Sequence, residues 1–391
     1  MYRCTIIGLT DDARTPVLAQ TEVRELIGSN NVFSGGKRHH ELVASLLPED
    51  AVWIDITVPL SHVFKQYAEH DEIVIFASGD PLFYGFAATV QRECPDCEMI
   101  VIPSFNSLQM LAHKLCLPYA EMRCVSLTGR PWDAFDEALI RGERMIGILT
   151  DRNKTPQLIC QRMLDYGYDN YRIYVGEHLG NNELERVREY EEGMEFAMPN
   201  CMIALQTEQR PRRFGLPEAE FSLLNGRTKM ITKMPIRLAT LAALELGRRC
   251  VMWDVGFCTG SISIEARLQF PHLSITAFEC REEGRELMSQ NSRRFGVPGI
   301  NAIIADFMEC DLTSLNRPDA VFIGGHGGRL GEMVTRIHSV LADGGCIVFN
   351  SVSEASREQF VAAADKEGMT CTNCGTIVID NNNPITILRA E

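Results

Sequence analysis

One corner of this 391-residue chain, Asp254-Val-Gly-Phe-Cys-Thr-Gly260-Ser, sets its fold class. It joins an apolar, strand-like run at 250–256 to an amphipathic segment at 262–270 with helical spacing. A glycine-bearing corner between strand and helix is where open α/β sheets take their ligands. Gly256 and Gly260 let the backbone approach such a ligand closely, and the start of the helix offers it N–H groups. A dinucleotide fingerprint needs a further glycine at position 258 to admit the pyrophosphate. Cys258 stands there instead, which disfavours a nicotinamide cofactor.

Downstream of that corner, strand-like runs at 274–280, 300–306, 319–325 and 344–350 alternate with helix-length segments. Such alternation predicts a doubly wound parallel sheet. Two closing runs, 376–380 and 385–389, are joined by the short link 381–384, too short for a crossover helix. They predict an antiparallel pair at the sheet edge. Glu279 ends the second strand, placed to accept hydrogen bonds from a ribose diol, and Asp306 ends the third, placed to meet an adenine-side amino group. The fourth strand runs into Val321-Phe-Ile-Gly-Gly-His-Gly-Gly328, whose glycines leave room for a bulky substrate and whose His326 is a candidate proton donor. Just upstream, Gly226-Arg-Thr-Lys-Met-Ile-Thr-Lys-Met-Pro-Ile-Arg237 is a cationic cluster. Lys233 and Arg237, four apart, are expected to share a helical face and to anchor anionic groups.

The first half shows the same alternation, with strand-like runs at 2–9, 53–57, 72–78 and 98–104 and a helical segment at 86–93. A second series, at 122–128, 144–150, 171–177 and 200–207, predicts a second α/β lobe, with the acidic stretch 183–195 read as solvated. Periodicity stops over 208–220, where prolines, a glycine and three arginines cluster, and the domain boundary is placed there. The expected domains are 1–207 and 223–391, with 208–222 as linker. Phe76-Ala-Ser-Gly-Asp-Pro-Leu-Phe-Tyr-Gly85 sits at a strand end and reads as a ligand loop, while Gly35-Gly-Lys-Arg-His-His-Glu41 opens a helix with cations suited to carboxylates.

Length alone predicts two or three domains at about 150 residues each. The chain carries 38 Lys and Arg against 52 Asp and Glu, a formal net charge of −14. That is the wrong sign for a protein that coats phosphate backbones, so nucleic acid is not an expected partner. The 1–14 start has neither the basic flank nor the apolar core of a signal peptide, and no apolar run approaches the 18 or so residues of a membrane span. The expected location is cytoplasmic, where the 14 cysteines stay as thiols. Cys94-x-x-Cys97 and Cys371-x-x-Cys374 lack accompanying His pairs, and no metal site is expected.

The order of glycine loop, Glu279 and Asp306 resembles the S-adenosylmethionine site of class I methyltransferases. In the first half, Ser78-Gly-Asp-Pro-Leu-Phe-Tyr-Gly85, Pro103-Ser-Phe-Asn-Ser-Leu-Gln109, Val125-Ser-Leu-Thr-Gly-Arg130 and Val175-Gly-Glu-His-Leu-Gly180 resemble the tetrapyrrole methylase family in its own order. In the second, Ile231-Thr-Lys-x-x-x-Arg237, Asp254-x-Gly-x-x-Thr-Gly260 and Ile323-Gly-Gly-x-Gly-Gly328 resemble the decarboxylating partner of that methylase. Together they resemble the precorrin-6Y carbon-5,15-methyltransferase (decarboxylating) family of cobalamin biosynthesis.

The resemblance implies a two-lobed tetrapyrrole methylase fold followed by a Rossmann-like class I methyltransferase sheet, and a homo-oligomer. It implies methylation of precorrin-6B or its cobalt form at carbon 5 by the first domain. The second would methylate carbon 15 and remove carbon dioxide from the ring C acetate. It further implies one S-adenosylmethionine per domain. Gly79, Asp80, Phe83, Asn106 and Ser107 would line the first cofactor site, and Thr232, Gly256, Thr259, Gly260, Glu279, Asp306 and Phe307 the second. Two departures stand out: the family's Gly-x-Gly-Pro-Gly loop is here Gly8-Leu-Thr-Asp-Asp12, and position 258 is Cys258 rather than glycine. The competing readings are an RNA methyltransferase, which should show a basic face, and a carrier that binds tetrapyrrole and S-adenosylmethionine without turnover.

Overall fold

The computed structural model describes residues 2–12, 15–227, 230–379 and 383–391. Packing divides the chain into two units, Met1–Arg130 with Arg144–Cys160 and Tyr171–Thr207, and Pro131–Glu143 with Gln161–Asn170 and Glu208–Glu391.

The first unit opens with β1 (Arg3–Leu9), α1 (Thr21–Ser29), β2 (Val32–Gly35), α2 (Lys37–Val43), β3 (Val52–Asp55), α3 (Leu60–Tyr67), β4 (Glu72–Ser78), α4 (Phe86–Glu93) and β5 (Glu98–Ile102). The five strands are parallel, in the order β3-β2-β4-β1-β5. Parallel strands are covered on both faces and so read as unbroken apolar runs; Ile6 and Ile7 of β1 and Ile73, Val74, Ile75 and Phe76 of β4 are fully buried. Strand β2 is absent from the sequence expectations, because four residues containing a serine and a glycine show no period. At the carboxyl edge of the sheet the loops after β1 and β4 nearly touch. Gly79 (φ +61) donates to the Leu9 carbonyl at 2.7 Å, and a Cβ on Gly8 would lie 1.7 Å from the Gly79 carbonyl oxygen.

Next along the chain come α5 (Ser107–Lys114), β6 (Arg123–Ser126), α6 (Asp133–Arg141), β7 (Met145–Leu149), α7 (Pro156–Asp165), β8 (Tyr171–Glu177), β9 (Arg186–Glu189) and β10 (Asn200–Gln206). Their sheet, β6-β7-β10-β8-β9, is mixed, since only β6 and β7 run parallel. The stretch 183–195, expected to be merely solvated, contains β9. Arg188 in that strand reaches the buried carboxylate of Glu177 on β8, Nη2 to Oε2 at 2.8 Å, and lies over the Phe196 ring. Charge in this segment is therefore paired across a ladder. Helix α6 packs with the second unit, where Ile140 joins Leu216 and Leu268 in one apolar cluster.

The second unit continues with α8 (Met234–Leu244), β11 (Val251–Val255), α9 (Ser261–Gln269), β12 (Ser274–Glu279), α10 (Glu283–Phe295), β13 (Ile300–Ile304), β14 (Ala320–Ile323), α11 (Leu330–His338), β15 (Cys346–Ser351), α12 (Glu354–Lys366), β16 (Cys371–Ile377) and β17 (Ile385–Ala390). The sheet order is β13-β12-β11-β14-β15-β17-β16, with β17 antiparallel to both neighbours. The expected antiparallel edge pair is present, but its outer strand starts at Cys371 rather than at 376. Asp380 and the 381–382 portion of the expected link lie outside the described residues. Direction of winding reverses between β11 and β14, which makes their carboxyl ends the switch point of the sheet. Segment 208–222 is packed rather than a free tether: Leu216 and Phe221 are buried, and the Gly215 and Leu216 N–H groups donate to Glu265 of α9 at 2.8 and 2.9 Å.

Candidate active site

The strand ends of the second unit converge on a cavity of about 940 Å³. That volume is at the upper end for cofactor clefts. Its floor is Asp254, the last buried acid of β11. Asp254 Oδ2 accepts from Ser263 Oγ at 2.6 Å, while Oδ1 is buried without a hydrogen-bond partner among the described residues. Burial pushes this carboxyl up to about 7. An orphaned acceptor facing a cleft is a place for a donor or cation on a ligand.

Beside it, Glu279 is buried at the end of β12. Cys258 N–H donates to its Oε2 at 2.9 Å and Arg281 N–H to its Oε1 at 3.2 Å, while the Arg281 guanidinium, with Nη1 3.3 Å from Oε1, caps the carboxylate from the exposed side. Thr232, Gly256, Thr259, Asp306 and Phe307 also line the cleft. Phe307 is wedged edge-on between Trp253 and Phe278, so an apolar wall stands opposite the acids. Asp306 is half exposed; its Oδ1 accepts from Met308 N–H at 2.9 Å. Gly260 is outside the lining. A Cβ there would meet Met288 Sδ at 2.6 Å, so packing of α9 on α10 requires that glycine.

The glycines after β14 divide into two kinds. A Cβ on Gly256 (φ +81) would lie 2.6 Å from Gly325 N, and one on Gly324 would lie 2.9 Å from Gly256 O. These positions let two backbones cross. A Cβ on Gly327 or Gly328 would meet nothing within 4 Å, and only this outer half of the loop leaves the space expected for substrate. His326 lines the cleft between them, with its Nδ1 accepting from Gly328 N–H at 3.2 Å and its ring edge-on to Phe349.

The two cations expected on one helical face part company. Lys233 is the N-cap residue of α8 and lines the cleft, whereas the Arg237 side chain is completely buried away from it. Its Nε is 3.2 Å from Glu265 Oε2, Nη1 donates to the Thr232 carbonyl at 2.9 Å, and Nη2 donates to the Leu216 carbonyl. Arg237 cannot reach a substrate carboxylate; it holds Thr232 in place. Sequence reasoning missed Asp254 as a site residue, although an acid directly before the glycine corner was its signal.

In the first unit, Gly79 and Asn106 come together, since a Cβ on Gly79 would lie 2.9 Å from Asn106 Cα. Asn106 caps α5, accepting from Gln109 N–H at 2.9 Å, and Ser107 opens that helix. Asp80 Oδ1 accepts from Leu82 N–H at 2.9 Å, and its carbonyl accepts from Phe83 N–H. Phe83 packs against the cluster of Leu108 and Leu111. These side chains shape the loops, so the edge presents mostly backbone. Among the described residues no three His, Cys, Asp or Glu side chains group as a metal would need, and no helix is long and apolar enough to cross a membrane.

Residues 225–386 match the family described as a precorrin methyltransferase domain, and residues 4–192 match the tetrapyrrole (corrin/porphyrin) methylases. A precorrin-6Y C(5,15)-methyltransferase [decarboxylating] from Sinorhizobium sp is 30% identical over 357 residues, covering 89% of this chain and 84% of that protein. The chain belongs to the precorrin-6Y C(5,15)-methyltransferase (decarboxylating) family. Its halves also have separate relatives in Salmonella typhimurium strain LT2. A cobalt-precorrin-6B C(15)-methyltransferase (decarboxylating) is 32% identical over 162 residues, 41% of this chain and 83% of the relative. A cobalt-precorrin-7 C(5)-methyltransferase is 27% identical over 185 residues, 47% of this chain and 88% of the relative. Membership bears out both the resemblance drawn from the motifs and the fold class. Precorrin-6Y C(5,15)-methyltransferases are S-adenosylmethionine-dependent. The buried acceptor at Asp254, the buried carboxylate of Glu279 and the apolar wall at Phe307 suit that cofactor's ammonium, ribose and adenine.

Proposed function

We propose that this chain methylates a precorrin, or its cobalt form, at carbons 5 and 15 and removes carbon dioxide from the ring C acetate. The reading divides it into a carbon-5 methylase at 1–207, a linker at 208–222 and a carbon-15 methylase and decarboxylase at 223–391. The observation that carries it is the family relationship running through 89% of the chain, across both halves.

S-adenosylmethionine, when bound, supplies a methyl group already activated on a sulfonium. The protein's part is alignment and exclusion of water. In the second unit Asp254 Oδ1 takes the ammonium, Glu279 takes the ribose diol, and Thr232, Gly256, Thr259, Asp306 and Phe307 complete the pocket. Lys233 holds a peripheral carboxylate of the macrocycle. Decarboxylation breaks the bond to the carboxylate carbon and sends its electron pair into the conjugated ring; a cleft that strips water from the carboxylate favours this. His326 delivers the proton that completes the resulting methyl group. In the first unit Gly79, Asp80, Phe83, Asn106 and Ser107 form the second donor site.

The same reading has the chain act in the cytoplasm as a homo-oligomer, without nucleic acid or membrane as partner. Its net charge of −14 supports the exclusion of nucleic acid, and light scattering checks the oligomer. Activity is tested by incubating the whole chain with the precorrin and 13C-methyl-labelled S-adenosylmethionine. Two labelled methyl groups and one carbon dioxide per macrocycle are expected. A macrocycle that gains no label refutes the reading.

A further inference from the structure

The segment Gly35-Gly-Lys-Arg-His-His-Glu41 has no part in the scheme above, yet it stands at the carboxyl edge of the first sheet, directly after β2. Its side chains are tied to the ligand loop after β4. Arg38 Nη2 donates to Ser78 Oγ at 2.8 Å, and His39 Nε2 is 2.9 Å from the same oxygen. Gly36 N–H donates to His39 Nδ1 at 3.2 Å, so the ring's proton sits on Nε2 and points at Ser78. Burial keeps that ring neutral by lowering it to about 4. Both lone pairs of Ser78 Oγ are thus taken, and among the described residues no acceptor takes its proton. A hydroxyl so placed can only donate.

The Arg38 guanidinium is itself fixed. Its Nη1 is 2.9 Å from Asp11 Oδ1, and the other oxygen of Asp11 is 2.8 Å from His178 Nδ1. Asp11 falls in the loop where this chain departs from Gly-x-Gly-Pro-Gly, at the place of the proline. His178 is held at φ +46, a conformation that a residue with a Cβ keeps only when its surroundings impose it. The guanidinium remains 40% exposed and has N–H groups beyond the two in use.

We propose that Arg38 and Ser78 form a carboxylate-binding subsite of the first unit, which takes one peripheral carboxylate of the tetrapyrrole during carbon-5 methylation. One outward N–H and one obligate O–H side by side match the two oxygens of a carboxylate. His39 and Asp11 are positioning residues: the first orients the hydroxyl and the second orients the guanidinium. The inference rests on the proposed function, because that reading supplies a polycarboxylate as the ligand.

The test uses the full chain with the precorrin substrate and 13C-methyl-labelled S-adenosylmethionine, with products separated by NMR into carbon-5 and carbon-15 methyl groups. In Arg38→Met and in Ser78→Ala, KM for the carbon-5 step should rise about tenfold or more, with kcat within about twofold. Arg38→Lys should recover part of the loss, since it keeps the charge without the fork. Carbon-15 methylation and carbon dioxide release in the same tube should match wild type, which shows that the variant has folded. Calorimetry should give an unchanged Kd for S-adenosylmethionine. An unchanged carbon-5 KM in both variants overturns the subsite, as does a rise in the S-adenosylmethionine Kd as large as the rise in KM. If wild-type protein labels neither carbon, the proposed function itself fails, and the subsite with it.

Discussion

Asp254 has the clearest consequence of any single residue. An unfolded chain ionises this carboxyl near pH 4, whereas burial holds it protonated to about 7 in the folded protein. Between those values the folded state binds the extra proton, so stability falls as pH rises across the window. The loss is of the order of 4 kcal/mol for about three pKa units. Thermal unfolding of the ligand-free protein between pH 5 and pH 8 should show this fall, and Asp254→Asn should flatten it.

The two cations near α8 should separate just as plainly. Arg237→Met leaves Glu265 as an unpaired buried charge and should cost about 3–5 kcal/mol in denaturant unfolding. Lys233→Met should leave stability within about 0.5 kcal/mol, as for other surface changes, and weaken substrate binding in a salt-dependent way. Sequence spacing joined these residues because position along a helix is periodic. It could not show that one precedes the helix as its cap while the other turns inward to an acid 28 residues away.

At the scale of elements, the glycine corner after β11 was legible because a strand, a glycine and an amphipathic helix each leave a local mark. The reason for Gly256 was not, since the backbone it admits belongs to a loop about 70 residues on. A methyl group there would strike Gly325 N, so Gly256→Ala should cost more than 2 kcal/mol in unfolding and abolish binding of S-adenosylmethionine to this cleft. Gly327→Ala has open space and only the left-handed backbone to strain, about 1 kcal/mol. Calorimetry and melting of the two variants side by side test the distinction. Strand β9 stayed hidden for a related reason. Its charges suggest solvent, but Arg188 is met by Glu177 and Glu189 by Arg172 on the neighbouring strand, and pairing between strands leaves no signature in a single segment.

For the whole molecule, the number of methyl-donor sites is the quantity to measure. Calorimetry on the intact chain should report two sites for S-adenosylmethionine, and Gly256→Ala should leave one. Domain order was visible in the motifs, which lie in two separate runs. The packing of α6 with the second unit was not, because a helix names its apolar face but not the surface that covers it.

The crossing at Gly256 and Gly324 also bears on redesign. Neither position has room for drift, and a side chain at 327 or 328 must accept an unfavourable backbone twist. Gly325 combines a place in the cleft wall with an unstrained backbone and only an ordinary contact, 3.8 Å to Gly256 Cα, for an added Cβ. Efforts to retune this enzyme toward macrocycles with other decorations should begin by randomising that codon and leave His326 in place.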